Sequence, residues 1–197
     1  MTTVTDPTQN GTLPETLERI LKGLTEIWRQ LQELKQTQRL GFGPAPYTRT
    51  VQCKRREDVP SWYFWRGELG AEPCPDESVT GYALDLQVKE GTYKERPTYN
   101  LQLLLDCGDR SFILDSGFKP GAESMFSKGL LLGLCDISAH ELKRHPITVA
   151  ARPGDDEKVL LASVHINGRR AGGEYQDNTN YQALLAQAIA TIQRSRQ

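Results

Sequence analysis

The stretch 98–115, TYNLQLLLDCGDRSFILD, decides the fold class of this chain, because it contains two alternating runs around a tight turn. In the run 98–106, one set of alternate residues is mostly apolar, which is typical of a strand with one buried face. That set is Tyr99, Leu101, Leu103 and Leu105, and we expect it to face inward. The run 110–115 forms a second strand, and Cys-Gly-Asp at 107–109 predicts a hairpin turn between the two.

Similar period-two segments occur on both sides of this hairpin and indicate a mainly β domain over residues 61–173. The six predicted strands are 62–69, 80–88, 98–106, 110–115, 146–151 and 158–166. The segment 122–135 instead carries a helical apolar stripe, in which Gly129 and Gly133 weaken the helix but allow close packing. A second amphipathic helix is predicted within 174–197, capped by Asn178 or Thr179.

The N-terminal part of the chain has a different character from the β domain. Residues 1–11 are polar and predicted to be disordered, and residues 12–40 are predicted to form an amphipathic helix. Its apolar residues follow a heptad spacing, namely Leu13, Leu17, Ile20, Leu24, Ile27, Leu31 and Leu34. This spacing is typical of a self-associating coiled coil, although a helix packed on its own domain also remains possible. The predicted linker at 41–60 starts with GFGPAP, which separates the helix from the β domain and favours the coiled coil.

Composition and charge exclude several classes of function. With 24 Lys+Arg against 25 Asp+Glu the net charge is −1, which argues against a general polyanion binder, so any nucleic-acid site must be a local patch. No apolar run reaches the ~20 residues of a membrane-spanning helix, and no secretory signal is visible. We therefore predict a cytoplasmic protein without a membrane partner.

Catalytic and metal-binding signatures are also weak. The four cysteines are widely spaced and include no CxxC pair, which is the spacing that a zinc site usually offers. We interpret these thiols as structural, and we predict a protein that is not an enzyme and needs no metal or cofactor. The four residues are Cys53, Cys74, Cys107 and Cys135.

The order of elements, three strands, a helix and two strands over residues 79–168, resembles that of OB-fold single-stranded DNA-binding proteins. The segment RGELGAEP at 66–73 is similar to a turn that follows the first strand in the bacterial members, and in that register 62–69 becomes the first strand. The resemblance implies a five- to six-stranded OB-like barrel. In this barrel the helix at 122–135 closes the bottom, and the strands at 146–151 and 158–166 complete the wall.

The same resemblance implies a binding surface for single-stranded DNA or RNA around the loop 89–97, which joins the first two barrel strands. The candidate phosphate contacts are Lys89, Lys94, Arg96 and Arg110, and the candidate stacking residues are Tyr93, Tyr99 and Phe112. Phe112 is equally compatible with the core. A second candidate surface combines Arg55 and Arg56 with Trp65.

Two alternatives remain open at this stage. The stretch 89–110 contains four basic and four acidic residues, a sum of 4 − 4 = 0, so an ordinary solvated hairpin is a competing interpretation. The alternative function is a protein-interaction or assembly factor that uses the barrel and the N-terminal helix. In either case, the N-terminal helix is predicted to self-associate or to bind a protein partner.

Overall fold

The computed structural model describes residues 20–27, 48–56, 59, 61–173, 175, 176 and 178–197. The chain divides into two compact units, of which the second begins at Pro46. In the first unit, residues 20–27 are helical. The predicted disorder at 1–11 and the rest of the predicted helix at 12–40 lie outside the described residues.

The described part of the second unit contains ten strands and three helices. The strands are β1 (Arg49–Gln52), β2 (Tyr63–Trp65), β3 (Ala71–Pro73), β4 (Ser78–Tyr93), β5 (Arg96–Asp106), β6 (Ser111–Lys119), β7 (Ala122–Glu123), β8 (Ile147–Pro153), β9 (Leu160–Ile166) and β10 (Arg169–Ala171). The helices are α1 (Met125–Cys135), α2 (Ala139–Arg144) and α3 (Tyr181–Ser195). The mainly β class with helical additions is therefore confirmed.

The strands form one open, mixed sheet in the order β10-β9-β8-β4-β5-β6-β1-β2-β3, and β7 pairs with β6. The β1–β6 pair is parallel, and the other pairs between these strands are antiparallel. The central pairs β4–β5, β5–β6, β4–β8 and β8–β9 join the strands that the sequence places in the barrel.

The prediction of a closed barrel is wrong, because both edges that would meet are occupied by other strands. Closure of an OB barrel would bring β6 against β9, but β1 pairs with residues 112–115 of β6 and β10 pairs with β9. The strand β1 lies inside the predicted linker at 41–60. Just beyond it, Nη1 of Arg55 donates to the carbonyl oxygen of Asp156 at 3.0 Å, which ties this segment to the β8–β9 turn.

The core lies on one side of the sheet and is closed by α1. Leu101, Leu103 and Leu105 of β5 are completely buried, as their alternation predicts. The helix begins after Ser124, whose hydroxyl accepts a hydrogen bond from the backbone N–H of Ser127 and so caps the first turn. Its contact with β9 is close, consistent with the two glycines in its sequence.

Three local predictions are corrected by the structure. The predicted strand 62–69 ends at Trp65 and continues as a 3₁₀ turn at Gly67–Leu69. The C-terminal helix is capped by Asn180, which lies one and two residues beyond the predicted caps. Helix α2 was not predicted, although Ser138 and Glu141 form a complete capping box, a signal that is visible in the sequence.

Candidate nucleic-acid interface

The residues 89–97, predicted to be a loop, are instead the end of a long β-hairpin that we call the arm. Strand β4 continues to Tyr93 and β5 begins at Arg96, so only two residues form the turn. Those two residues, Lys94 and Glu95, have φ values of 47° and 63°, which fit the left-handed conformation of a type I′ turn. Every residue of the arm is exposed, and polar residues on both faces remove the alternation by which a strand is recognised.

The pairing register sorts the side chains of the arm by face. Residues directly opposite each other in an antiparallel pair lie on the same face, and Tyr93 is opposite Arg96. Lys89 lies four residues before Tyr93 on β4 and therefore shares this face, whereas Glu90 lies on the other face, opposite Tyr99. One face of the arm therefore carries two cations and an aromatic ring without a carboxylate.

This face continues across the sheet as a surface that we call the outer face, on the side away from the core. Because Leu101 and Leu103 point into the core, Gln102 points outward, and its row runs through Asp115 and Gln52 to Tyr63. Trp65 lies two residues after Tyr63 on β2 and shares its side of the sheet. The arm and Trp65 therefore lie on the same side of the sheet, and Asp115 and Tyr63 of the connecting row are buried.

Three exposed aromatic side chains lie on the outer face. Tyr93 is 66% exposed, Trp65 54% and Tyr82 45%. The guanidinium carbon of Arg56 lies 5.6 Å from the ring centroid of Trp65, a cation–π distance, and Nζ of Lys94 lies 5.5 Å from that of Tyr93. Aromatic rings beside cations are the usual elements of a surface that binds single-stranded nucleic acid.

Tyr82 was missed by the sequence reasoning because a β-bulge changes the parity of β4. Leu86 is buried, and simple alternation would place Tyr82 on the same inward side. The register shifts between Ala83 and Asp85, so that Tyr82 is opposite Asp106 on the outer face. No sequence signal in this strand predicts the bulge.

The remaining predicted site residues lie elsewhere. Phe112 is opposite Leu105 on the core side, which resolves its parity, and Tyr99 is half-buried on that same side. Arg110 lies in the β5–β6 turn, where its Nε and Nη2 atoms donate to Oδ2 of Asp109 at 3.0 and 2.9 Å. Arg55 donates to carbonyl oxygens of the β8–β9 turn. The structure therefore assembles Lys89, Tyr93, Lys94, Arg96, Arg56 and Trp65 on or beside the outer face.

Carboxylates on the outer face are concentrated at the base of the sheet, away from the arm. Asp115 is nearly buried, and its Oδ2 accepts a 2.6 Å hydrogen bond from Nε2 of Gln102. Asp106 accepts a hydrogen bond from the backbone N–H of Gly108 within the β5–β6 turn. Asp115 and Asp106 are thus engaged in local structure, and Asp85, opposite Leu104, is a third carboxylate on this face.

The thiols occur as free cysteines, and burial makes them poor nucleophiles. Desolvation raises the pKa of Cys74 to about 12 and that of Cys135 to about 11. Sγ of Cys135 donates to the carbonyl oxygen of Leu184 at 3.2 Å, so this thiol joins α1 to α3. Among the residues that the structure describes, no group of three His, Cys, Asp or Glu side chains is placed to hold a metal ion.

Comparison of the chain with protein-family models, with curated proteins and with solved structures gives no match. In the described part of the chain, no helix combines the length and the apolar character needed to cross a membrane.

Proposed function

We propose that the protein is a non-enzymatic binding protein that holds single-stranded DNA or RNA against its outer face. The observation that carries this proposal is the sorting of the arm, which puts Lys89, Tyr93 and Arg96 on one face and Glu90 on the other. A nucleic-acid strand on that face would meet positive charge and an aromatic platform together.

The strand pairing supports an OB-like assignment in a partly open form. The meander β4–β5–β6 is followed by α1, after which β8 returns to β4 and β9 pairs with β8. This is the Greek-key order of the OB-fold, with the closing pair replaced by β1 on one side and β10 on the other. In this assignment the arm connects the first and second strands, a position that OB-folds use for binding.

The dimensions of the outer face suit several nucleotides. Along β5, the outer face runs from Arg96, which is opposite Tyr93, through Gln102 to Leu104. The eight residues from Arg96 to Leu104 correspond to ~26 Å at ~3.3 Å per residue. OB-folds bind ~4–16 nucleotides per domain, and each base stacked on an aromatic side chain contributes ~1–3 kcal/mol. Tyr93, Tyr82 and Trp65 would supply the stacking, and the arm cations would neutralise phosphates.

Fluorescence anisotropy with labelled single-stranded oligonucleotides of DNA and of RNA tests this proposal on the full chain. We expect saturable binding at low salt and a logarithmic affinity that falls with log salt by ~0.7 for each phosphate contact. The double variant Lys89→Glu/Arg96→Glu should reduce this slope by ~1.4, since it removes two contacts. Tyr93→Ala should weaken binding by ~5–150-fold, the equivalent of ~1–3 kcal/mol of lost stacking.

The matched control is Lys143→Glu/Arg144→Glu, which makes the same change in net charge on two exposed residues of α2. This variant should keep the salt slope of the wild type. Absence of saturable binding at low salt would refute the proposed function. Equal effects of the arm variant and the control would refute the assignment of the outer face.

A protein-assembly function is the second candidate, and one observation in the first unit favours it. Four large apolar side chains of the helical residues 20–27 are 54–61% exposed, namely Ile20, Leu21, Leu24 and Ile27. Such a helix is stabilised when a partner helix covers its apolar side. Analytical ultracentrifugation of the full chain and of a variant lacking residues 1–40 tests this function, and an equal, monomeric mass for both would refute self-association.

A further inference from the structure

A cleft of about 400 Å³ lies on the core side of the sheet, between the β1–β2 pair and the β5–β6 turn. This volume falls within the ~300–1,000 Å³ typical of small-molecule sites. Its walls include the aromatic side chains of Trp62, Phe64 and Phe112, and its rim includes Ser78 and Arg110. The predicted site residues Arg110 and Phe112, which are not on the outer face, thus meet here.

The aromatic wall of the cleft is held in place by its own contacts. The rings of Phe64 and Phe112 are 6.2 Å apart and inclined by 32°, and the guanidinium carbon of Arg49 lies 3.6 Å from the centroid of Phe64. Trp62 is anchored by a 2.8 Å hydrogen bond from Nε1 to the carbonyl oxygen of Asp76. A flat ring that enters the cleft therefore meets Phe112, which is partly exposed and already held in place by its contact with Phe64.

The rim of the cleft offers both hydrogen-bond donors and acceptors. Arg110 and Asp109 form an ion pair at 2.9 Å, and Asp76 and Ser78 lie along the same rim. The base of a nucleotide presents a flat π face together with an edge of hydrogen-bond donors and acceptors. The phosphate of the nucleotide is a ligand for a guanidinium group. An aliphatic ligand would use the volume of this cleft but none of its rim.

We propose that the cleft binds one nucleotide, with the base against Phe112 and the phosphate towards Arg110. The proposal rests on the proposed function for its ligand class and adds a base-binding site to it. The rim adjoins the base of the outer face, because the β5–β6 turn starts directly after Asp106, which is opposite Tyr82. A free mononucleotide and a nucleotide within a strand share this chemistry.

Titration of the full chain with AMP, GMP, CMP and UMP, and separately with single-stranded oligonucleotides, tests the cleft. Two exposed rim residues are changed, so that the core remains intact: Ser78→Trp fills the rim with an indole, and Arg110→Gln removes its charge. Each variant should weaken mononucleotide binding at least 10-fold. The matched control Arg152→Gln alters an exposed arginine of β8 outside the cleft, and it should bind as the wild type does.

The outcomes separate this site from the proposed function. Mononucleotide binding that both rim variants weaken, without any binding of oligonucleotides, supports the cleft and overturns the function of the outer face. Oligonucleotide binding that depends on Tyr93 but not on Ser78 or Arg110, without mononucleotide binding, overturns the cleft alone. If a rim variant does not fold, the indole N–H resonance of Trp62 in the wild type decides: a saturable shift with mononucleotide supports the site, and an unchanged resonance overturns it.

Discussion

Replacement of Gly133 by alanine should destabilise the protein, although the same change stabilises most helices. Alanine in a helix interior is favoured over glycine by ~1 kcal/mol. In this helix, however, a Cβ atom at position 133 would lie 2.5 Å from both Cβ and Cγ2 of Val164. Carbon atoms pack at ~3.5–4.0 Å, so α1 would have to move away from β9 by about 1 Å.

The size of the destabilisation depends on how little Val164 can move. Overpacking a core costs ~1–3 kcal/mol, and the upper end applies because Val164 is completely buried and its Cβ cannot rotate away. After the propensity gain of ~1 kcal/mol is subtracted, the free energy of unfolding should fall by ~2 kcal/mol. Gly129→Ala should cost at least as much, since its Cβ would lie 2.5 Å from the backbone oxygen of Ala162.

Urea unfolding monitored by tryptophan fluorescence measures this change as a lower midpoint with an unchanged slope. The control is Gly23→Ala, where a Cβ in the helical segment 20–27 meets no atom within 4 Å. Far-UV circular dichroism of this control should show helix content equal to or above that of the wild type. A midpoint for Gly133→Ala at or above the wild-type value would refute the close packing of α1 on β9.

Three further predictions concern the core, the segment that follows β1 and a surface ion-pair cluster. Leu103→Ala, at a fully buried site, should lower the free energy of unfolding in urea by ~2–5 kcal/mol. Arg55→Ala should cost ~1–3 kcal/mol by removing its bonds to the β8–β9 turn, and amide hydrogen exchange in that turn should accelerate. Hydrogen bonds from Ser138 and Arg169 lower the pKa of Glu141 to about 2, so its stabilising effect is complete above the unfolded pKa of ~4.3 and is lost as pH falls towards 2. The difference in urea midpoint between wild type and Glu141→Gln should shrink over that pH range.

The sequence predicted those parts of the fold that depend on local alternation and turn chemistry. The buried faces of β5 and α1 follow directly from the spacing of their leucines, and the turn after Asp106 follows from Cys-Gly-Asp. Strand β1 and the open sheet could not be predicted in this way. The parallel pairing of Arg49–Gln52 with residues 112–115 joins segments about 60 residues apart, and no local pattern specifies it.

For the candidate interface, the sequence indicated which residues could bind a ligand but not which side of the sheet they lie on. Lys89, Tyr93 and Arg96 were selected from the sequence, but their common face depends on the register set by the two-residue turn. Tyr82 was not selected, because the bulge that turns it outward leaves no trace in the alternation of β4. The residue types suited to binding could thus be recognised in the sequence, whereas the face on which each side chain lies could not.

The balanced charge of residues 89–110 therefore has a different meaning in the folded protein. Arg96 and Asp106 are ten residues apart on an extended strand, a separation of ~33 Å at ~3.3 Å per residue. The Debye length is ~8 Å at physiological ionic strength, so carboxylates at the base of the sheet do not neutralise cations on the arm. Within the arm itself, Lys89, Lys94 and Arg96 outnumber Glu90 and Glu95, a sum of 3 − 2 = +1. A sum of zero along the chain is thus compatible with a local anion-binding surface, and the salt slope of the arm variants is the quantity that measures it.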